Sequence, residues 1–252
     1  MQLFYNNLTD AGTWYLNAGT TNPAYPIENL LDYRAAVIWK AIVGSMAAND
    51  LGAAGAGTED WQFIAYGLTD VTTICLLLYS DDGVSFTTLG APIAVVDGIA
   101  SVVIDAADTA HRYWAIVPIT SDSSDVQVSR CYIGPILDTG PEGDPDFGNY
   151  GQDFSERTNR DYSVLGQKYA EQRAQFKTRR MTLPLVPETT EALLRAFLEA
   201  VGTWKPFFMI LSTATPMDQV FYGSFQSNPT EQLQDYGSGF LWRVPLVIEQ
   251  QL

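Results

Sequence analysis

Short apolar runs separated by turn-forming residues dominate the first 136 positions, and few stretches keep a helical period. The runs 61–66, 71–79, 92–96, 100–105, 112–119 and 126–134 hold aromatic, aliphatic and β-branched residues. They end in signals such as Asp81-Asp82-Gly83 or Asp97-Gly98. Short strands at that spacing predict an all-β sandwich. One interval departs from the pattern. Residues 47–58, rich in Ala and Gly, carry side chains too small to pack alone, which predicts a mobile loop.

Between Leu137 and Phe154 the pattern stops. The stretch Asp138-Thr139-Gly140-Pro141-Glu142-Gly143-Asp144-Pro145 supplies neither core nor helix, so residues 138–154 read as a linker or an extended arm. Asp144 and Asp146 lack the ligand ladder and terminal bidentate Glu of a calcium loop. Further on, residues 162–169 and 173–185 read as paired strands, with alternation at Ala174, Phe176 and Thr178 and again at Met181, Leu183 and Leu185. A helix follows, with Leu193, Leu194, Phe197, Leu198 and Val201 on one face, Thr189 as its N-cap, Glu191 in its first turn and Gly202 as its stop. Strands resume at 206–211, 219–225 and 240–249. The expected architecture is mainly β: a sandwich over 1–137, a linker over 138–154, and over 155–252 a barrel-like domain with one short helix.

Charge narrows the range of partners. The 252 residues are 46% hydrophobic, enough for packed cores, and carry a formal net charge of −15. That sign opposes nucleic acid and anionic membranes, because each phosphate contact needs a Lys or Arg. No stretch approaches about 18 uninterrupted apolar residues, and the start lacks a basic segment followed by an apolar one, so the expectation is a soluble protein that matures where it is made. Cys75 lies in an apolar run, and with Cys131 is expected as a pair of structural thiols rather than a disulfide. Residues 1–137 carry a net −10 and residues 138–252 a net −5. The window 157–180 reverses the trend at +5, and its Arg173, Lys177, Arg179 and Arg180 are the candidate contacts to a neighbouring subunit.

Catalytic patterns are missing from the sequence. His111 has no nearby Cys or second His, and there is no Gly-x-Ser-x-Gly elbow, phosphate-binding Gly loop or His-Glu-x-x-His. The expectation is a protein without enzymatic activity, cofactor or metal.

Two resemblances add to this picture. Pro26-Ile27-Glu28-Asn29-Leu30-Leu31-Asp32 before Trp39, Ser80-Asp81-Asp82-Gly83-Val84-Ser85-Phe86, Arg112-Tyr113-Trp114 and Tyr132-Ile133-Gly134 occur in the order found in the discoidin or galactose-binding-like sandwich, which the first half resembles. The second half resembles tail-tip, baseplate and distal-tail proteins of long-tailed bacteriophages. It shares an Arg-rich strand leading into Leu183-Pro184-Leu185, one helix, Trp204-Lys205-Pro206-Phe207 and a final strand through Val247-Ile248-Glu249. The second resemblance implies a virion tail-tip protein, assembled in the host cytoplasm as a symmetric ring with copies of itself and with other tail proteins. The first implies an alternative role in binding host surface glycans through loop aromatics, for which Trp14, Tyr15, Tyr25 and Tyr33 are the candidates.

Overall fold

A three-stranded antiparallel sheet, Arg130–Pro135, Trp61–Tyr66 and Ile99–Ile104 in that order, has both of its faces covered. Period-two alternation divides its side chains. Trp61, Phe63, Ala65, Ala100, Ile104, Cys131 and Ile133 enter one core, while Ile64, Ile99 and Tyr132 enter another. The computed structural model describes residues 1–34, 36–41, 45–68, 74–119, 125–138, 151–162, 168–186, 188–211, 220–227, 229, 232–235 and 240–250.

The first core closes against a sheet ordered Thr13–Ala18, Met46–Asp50, Tyr113–Ile119, Ile74–Ser80 and Thr87–Thr88, with Ile93–Ala94 also paired to Ile74–Ser80. The expected sandwich is present, and residues 51–58 of the expected loop are irregular, but its first part, 47–50, is strand. Met46–Asp50 is an inner strand of the sheet, and Ala47 and Ala48 are fully buried. Across the sheet Asn49 stands between Trp14 and Trp114, and Ala47 between Leu16 and Ile116. Small side chains fit a strand whose neighbours on both sides are large. The expected strand 126–134 divides at Ser129: Val126–Val128 pairs with Trp39–Ala41 in a separate ribbon, and Arg130–Pro135 joins the three-stranded sheet. Part of the expected strand 71–79 lies outside the described residues, and the remainder is Ile74–Ser80.

The quoted turn does seat Trp39. Ile27–Leu31 forms a 3-10 turn, and the Asn29 amide donates to the carbonyl of Ile38 at 2.7 Å. That bond fixes the residue just before Trp39, whose indole is fully buried with its N–H donated to the Thr21 hydroxyl at 3.0 Å. In the polar loop after Ile74–Ser80, the Asp82 carboxylate accepts the N–H groups of Val84 and Ser85, each at 2.8 Å. Gly83 in that loop has φ +71° and lies against the Tyr113 ring, so both backbone and space favour glycine there.

The second face of the three-stranded sheet packs on an eight-stranded antiparallel sheet built mostly from the C-terminal half. Its order is Leu137–Asp138, Gln2–Phe4, Phe207–Ile210, Val220–Phe225, Phe240–Gln250, Lys168–Val186 and Gly151–Tyr162, with Gln232–Asp235 also paired to Phe240–Gln250. The N-terminal strand and Leu137–Asp138 therefore belong to this sheet, and the chain leaves it and returns to it around the sandwich. Residues 139–150 of the expected linker lie outside the described residues, and 151–154 are strand. Alternation again serves two cores: Phe208, Ile210, Val220 and Tyr222 face the sandwich, while Phe207, Met209, Phe221, Phe225, Val244, Leu246 and Ile248 face the helix Glu188–Val201.

No pairing among the described residues closes this sheet into a barrel, so the barrel-like expectation is corrected to an open sheet crossed by one helix. Leu194, Phe197 and Val201 are buried on the helix, but Leu193 is 55% exposed. Spacing had grouped Leu193 with them, and the contact stripe is narrower than the apolar stripe. The helix begins at Glu188, which places Thr189 within the first turn rather than at the cap. Gly202, at φ +55°, ends it by donating its N–H to the Leu198 carbonyl at 2.9 Å.

Trp39→Ala in the full chain is expected to cost about 3–5 kcal/mol, read from the shift of the urea midpoint. A loss below about 1 kcal/mol would show that the turn does not seat a core residue.

Candidate functional site

Arg130 opens the third strand of the small sheet, and its side chain points into the junction between the two halves. The residue is only 2% exposed. Its guanidinium donates to the Leu30 carbonyl at 2.6 Å, forms an ion pair with Asp10 and lies 5.0 Å from the Tyr33 ring centroid. Asp10 comes from the short helix Leu8–Ala11, capped by the Asn7 side chain, and the Asn7 amide also donates to Asp10 at 2.8 Å. One cation thus ties the first helix, the 3-10 turn and the small sheet together.

The C-terminal half completes the junction. Tyr222 donates its hydroxyl to the Tyr33 carbonyl at 2.8 Å, and Gln250 donates to the Tyr66 hydroxyl at 3.2 Å. Tyr66 lies 5.6 Å from Tyr222 and 5.9 Å from Phe208, while Tyr132 lies 5.6 Å from Phe4. A cavity of about 10 Å³, the room of a single water, remains beside Asn7, Asp10, Arg130, Lys205 and Tyr222. Burial pushes Asp10 above its ordinary 3.8, against the opposing pull of Arg130. Burial also raises the Tyr222 phenol, so at neutral pH it keeps the proton it donates to Tyr33.

The candidate glycan aromatics divide by exposure. Trp14 is 4% exposed and forms part of the sandwich core, which closes it to a sugar. Tyr15 is partly buried, with its hydroxyl donated to the Gly83 carbonyl at 3.4 Å. Tyr25 is open, with the Lys40 ammonium 5.4 Å from its ring centroid. Tyr33 is half-buried and meets Trp204 edge to face at 6.3 Å. Trp204 is 71% exposed and was not among the candidates. Its position after a helix-stopping glycine and before Pro206 was a signal for an exposed ring, since no strand or helix period claims it.

The basic candidates lie on Lys168–Val186. Residues 168–177 of that strand, which include Arg173 and Lys177, pair only with Gly151–Tyr162 among the described residues, so a two-stranded ribbon extends past the rest of the sheet. Arg180 is exposed. Arg179 differs, because its guanidinium stacks 4.5 Å from the Phe221 ring centroid within the same chain.

The remaining reactive groups have structural surroundings. His111 stacks on Tyr79 at 3.9 Å, with Nδ1 2.8 Å from Asp81. Cys75 and Cys131 are free and buried in the sandwich core, and burial pushes the Cys75 thiol up to about 12, away from the thiolate form at neutral pH. Among the described residues there is no cluster of three or more His, Cys, Asp or Glu positioned to hold a metal. No described helix is long and apolar enough to cross a membrane.

Two tests address the junction. Arg130→Met leaves Asp10 buried without its partner and is expected to cost about 3–5 kcal/mol in urea unfolding. A loss within about 0.5 kcal/mol would mean that the pair is solvated. Because the folded-state value of Asp10 is raised, its favourable contribution is complete below the unfolded value of 3.8 and is lost as pH rises through the folded value. The stability of the native chain relative to Asp10→Asn is therefore expected to fall as pH rises from about 3.8. A difference that grows with pH would contradict the raised value.

No family model and no curated protein matches the chain. Solved structures do, over about half of its length, and several of them are carbohydrate-binding modules or lectin domains. Chitosan-binding module 1 of a chitosanase/glucanase from Paenibacillus sp. IK-5 is 11% identical at a TM-score of 0.42, covering 52% of this chain and 99% of the module. CBM32-1 of a family 31 glycoside hydrolase from Clostridium perfringens is 17% identical at 0.39, covering 51% and 97%. The lectin domain of lectinolysin, solved with Lewis B antigen, is 9% identical at 0.40, covering 52% and 96%.

Proposed function

We propose that this chain is a non-catalytic assembly subunit, of the kind that builds the tail tip or baseplate of a long-tailed bacteriophage. The eight-stranded sheet joins copies of the chain into a symmetric ring and contacts neighbouring tail proteins, and the sandwich is carried on it. On this reading the protein is a virion component assembled in the host cytoplasm.

The carrying observation is the two-stranded ribbon. An isolated hairpin is marginal in water, and ribbons of this length are stabilised when another surface covers them. The window 157–180, most of which forms the ribbon, has a charge of +5 and leaves −20 on the remainder of the chain. An identical subunit therefore offers the complementary potential that fixes register in a closed ring.

Carbohydrate recognition is the second reading, favoured by open aromatic rings on and beside the sandwich. Tyr25 and Trp204 are the described examples, each beside a charged or aromatic neighbour. The two readings are compatible, since the ribbon and the aromatic rings lie on different elements.

Native mass spectrometry of the full chain is expected to give a closed multiple of the 27.8 kDa subunit. Arg173→Glu with Lys177→Glu is expected to reduce it to monomer while circular dichroism is unchanged, since like charges facing across an interface cost several kcal/mol. A wild-type monomer at every concentration, or a normal multiple in the double variant, would contradict assembly through the ribbon.

A further inference from the structure

We propose that Trp204 and Tyr33 form a stacking platform for a pyranose ring at the edge of the junction, made jointly by the two halves of the chain. The inference deepens the carbohydrate reading above and rests on it. It adds a location that sequence patterns of the sandwich alone do not contain, because Trp204 belongs to the other half.

The indole is exposed yet positioned. One edge lies against Gly202, where an added Cβ would stand 3.4 Å from Cδ1 and 3.6 Å from Nε1. Tyr33 meets the ring at 85°, an edge-to-face contact that limits rotation. The Tyr33 ring is backed by the Arg130 guanidinium, and its carbonyl is held by Tyr222. A buried network thus orients a ring that remains 71% exposed. Preorganisation of this kind reduces the ordering cost of binding.

The polar surroundings favour a sugar over a protein partner. Asp32 and Arg34 flank Tyr33 and hold each other through two bonds, Nε to Oδ1 at 2.9 Å and Nη2 to Oδ2 at 2.6 Å. The Arg34 side chain is 75% exposed, and Lys205 follows Trp204 directly. A carboxylate and a guanidinium on the two sequence neighbours of Tyr33 offer an acceptor and donors to ring hydroxyls, while the indole takes the apolar C–H face. A stable protein interface needs about 800 Å² from each partner and an apolar centre. Among the described residues the other exposed large apolar side chains, Tyr25, Val84, Val103 and Leu193, lie before the 3-10 turn, on the polar loop, on the small sheet and on the helix. They do not extend the Trp204 face into such a patch.

Fluorescence isolates the site, because Trp14, Trp39, Trp61 and Trp114 are all at most 4% exposed. Trp242→Phe provides a background without the remaining indole. The probes are methyl β-galactoside, N-acetylgalactosamine, N-acetylglucosamine and chitobiose, followed by acrylamide quenching and, in parallel, by saturation-transfer NMR to detect binding anywhere on the chain. At least one probe is expected to shield Trp204 saturably. Trp204→Ala is expected to weaken that sugar about tenfold or more in the NMR titration, with partial recovery in Trp204→Phe. Sugar binding that is equal in Trp204→Ala would overturn the platform and leave the carbohydrate reading intact. Absence of binding by either method across the panel would overturn both. Shielding that follows protein concentration without sugar would overturn the platform in favour of a second copy covering Trp204.

Discussion

Burial of the three-stranded sheet on both faces is the constraint on which the rest of the structure depends. A sandwich sheet ordinarily turns one face to water, and polar residues then alternate with apolar ones. Here Ile64, Ile99 and Tyr132 project from the second face into Phe4, Phe208, Ile210, Val220 and Tyr222. Removing the C-terminal half would leave that apolar face in water. The same layer contains Arg130, whose charge is tolerable only because Asp10, the Leu30 carbonyl and the Tyr33 ring surround it. Such a pair contributes little net stability over apolar packing, and it ties the first helix and the 3-10 turn to the small sheet.

The division of labour follows from this layering. The eight-stranded sheet takes its core from the helix on one side and from the sandwich on the other, which leaves its end, the ribbon of residues 154–162 and 168–177, paired only with itself among the described residues. The proposed assembly would use that end, which belongs to a different element from the sandwich. Tyr25 and Trp204 are exposed in the single chain, so a ring of subunits of the kind proposed would present the proposed platform in several copies, and any modest affinity for a single sugar would gain from multivalency.

Much of the fold was legible because period-two patterns and turn signals are local. The strands 61–66, 100–105 and 112–119, and the turn that precedes Trp39, could be found without knowing their neighbours. Met46–Asp50 could not, since Ala47 and Ala48 carry no pattern of their own and acquire a role only between Leu16 and Ile116 or Tyr15 and Ala115. Gln2–Phe4 was equally hidden, because its partner strands lie more than 130 residues away. The strand Phe207–Ile210 read as apolar throughout, yet a run of that kind does not reveal which two layers it separates. Site residues follow the same rule. Trp14 and Trp204 are the same residue type, and pairing with Met46–Asp50 places Trp14 in the core while Trp204 lies outside any strand and is exposed. Arg130 was legible as a cation at the head of an apolar strand, while its Asp10 partner required the fold.

Differential scanning calorimetry of the full chain tests most directly whether the doubly buried sheet joins the two halves into one unit. The account predicts a single transition in monomeric protein, with calorimetric and van't Hoff enthalpies that agree. Two separable transitions, with Tyr222→Ala shifting only one of them, would show that the halves fold independently and that the junction does not hold the structure together.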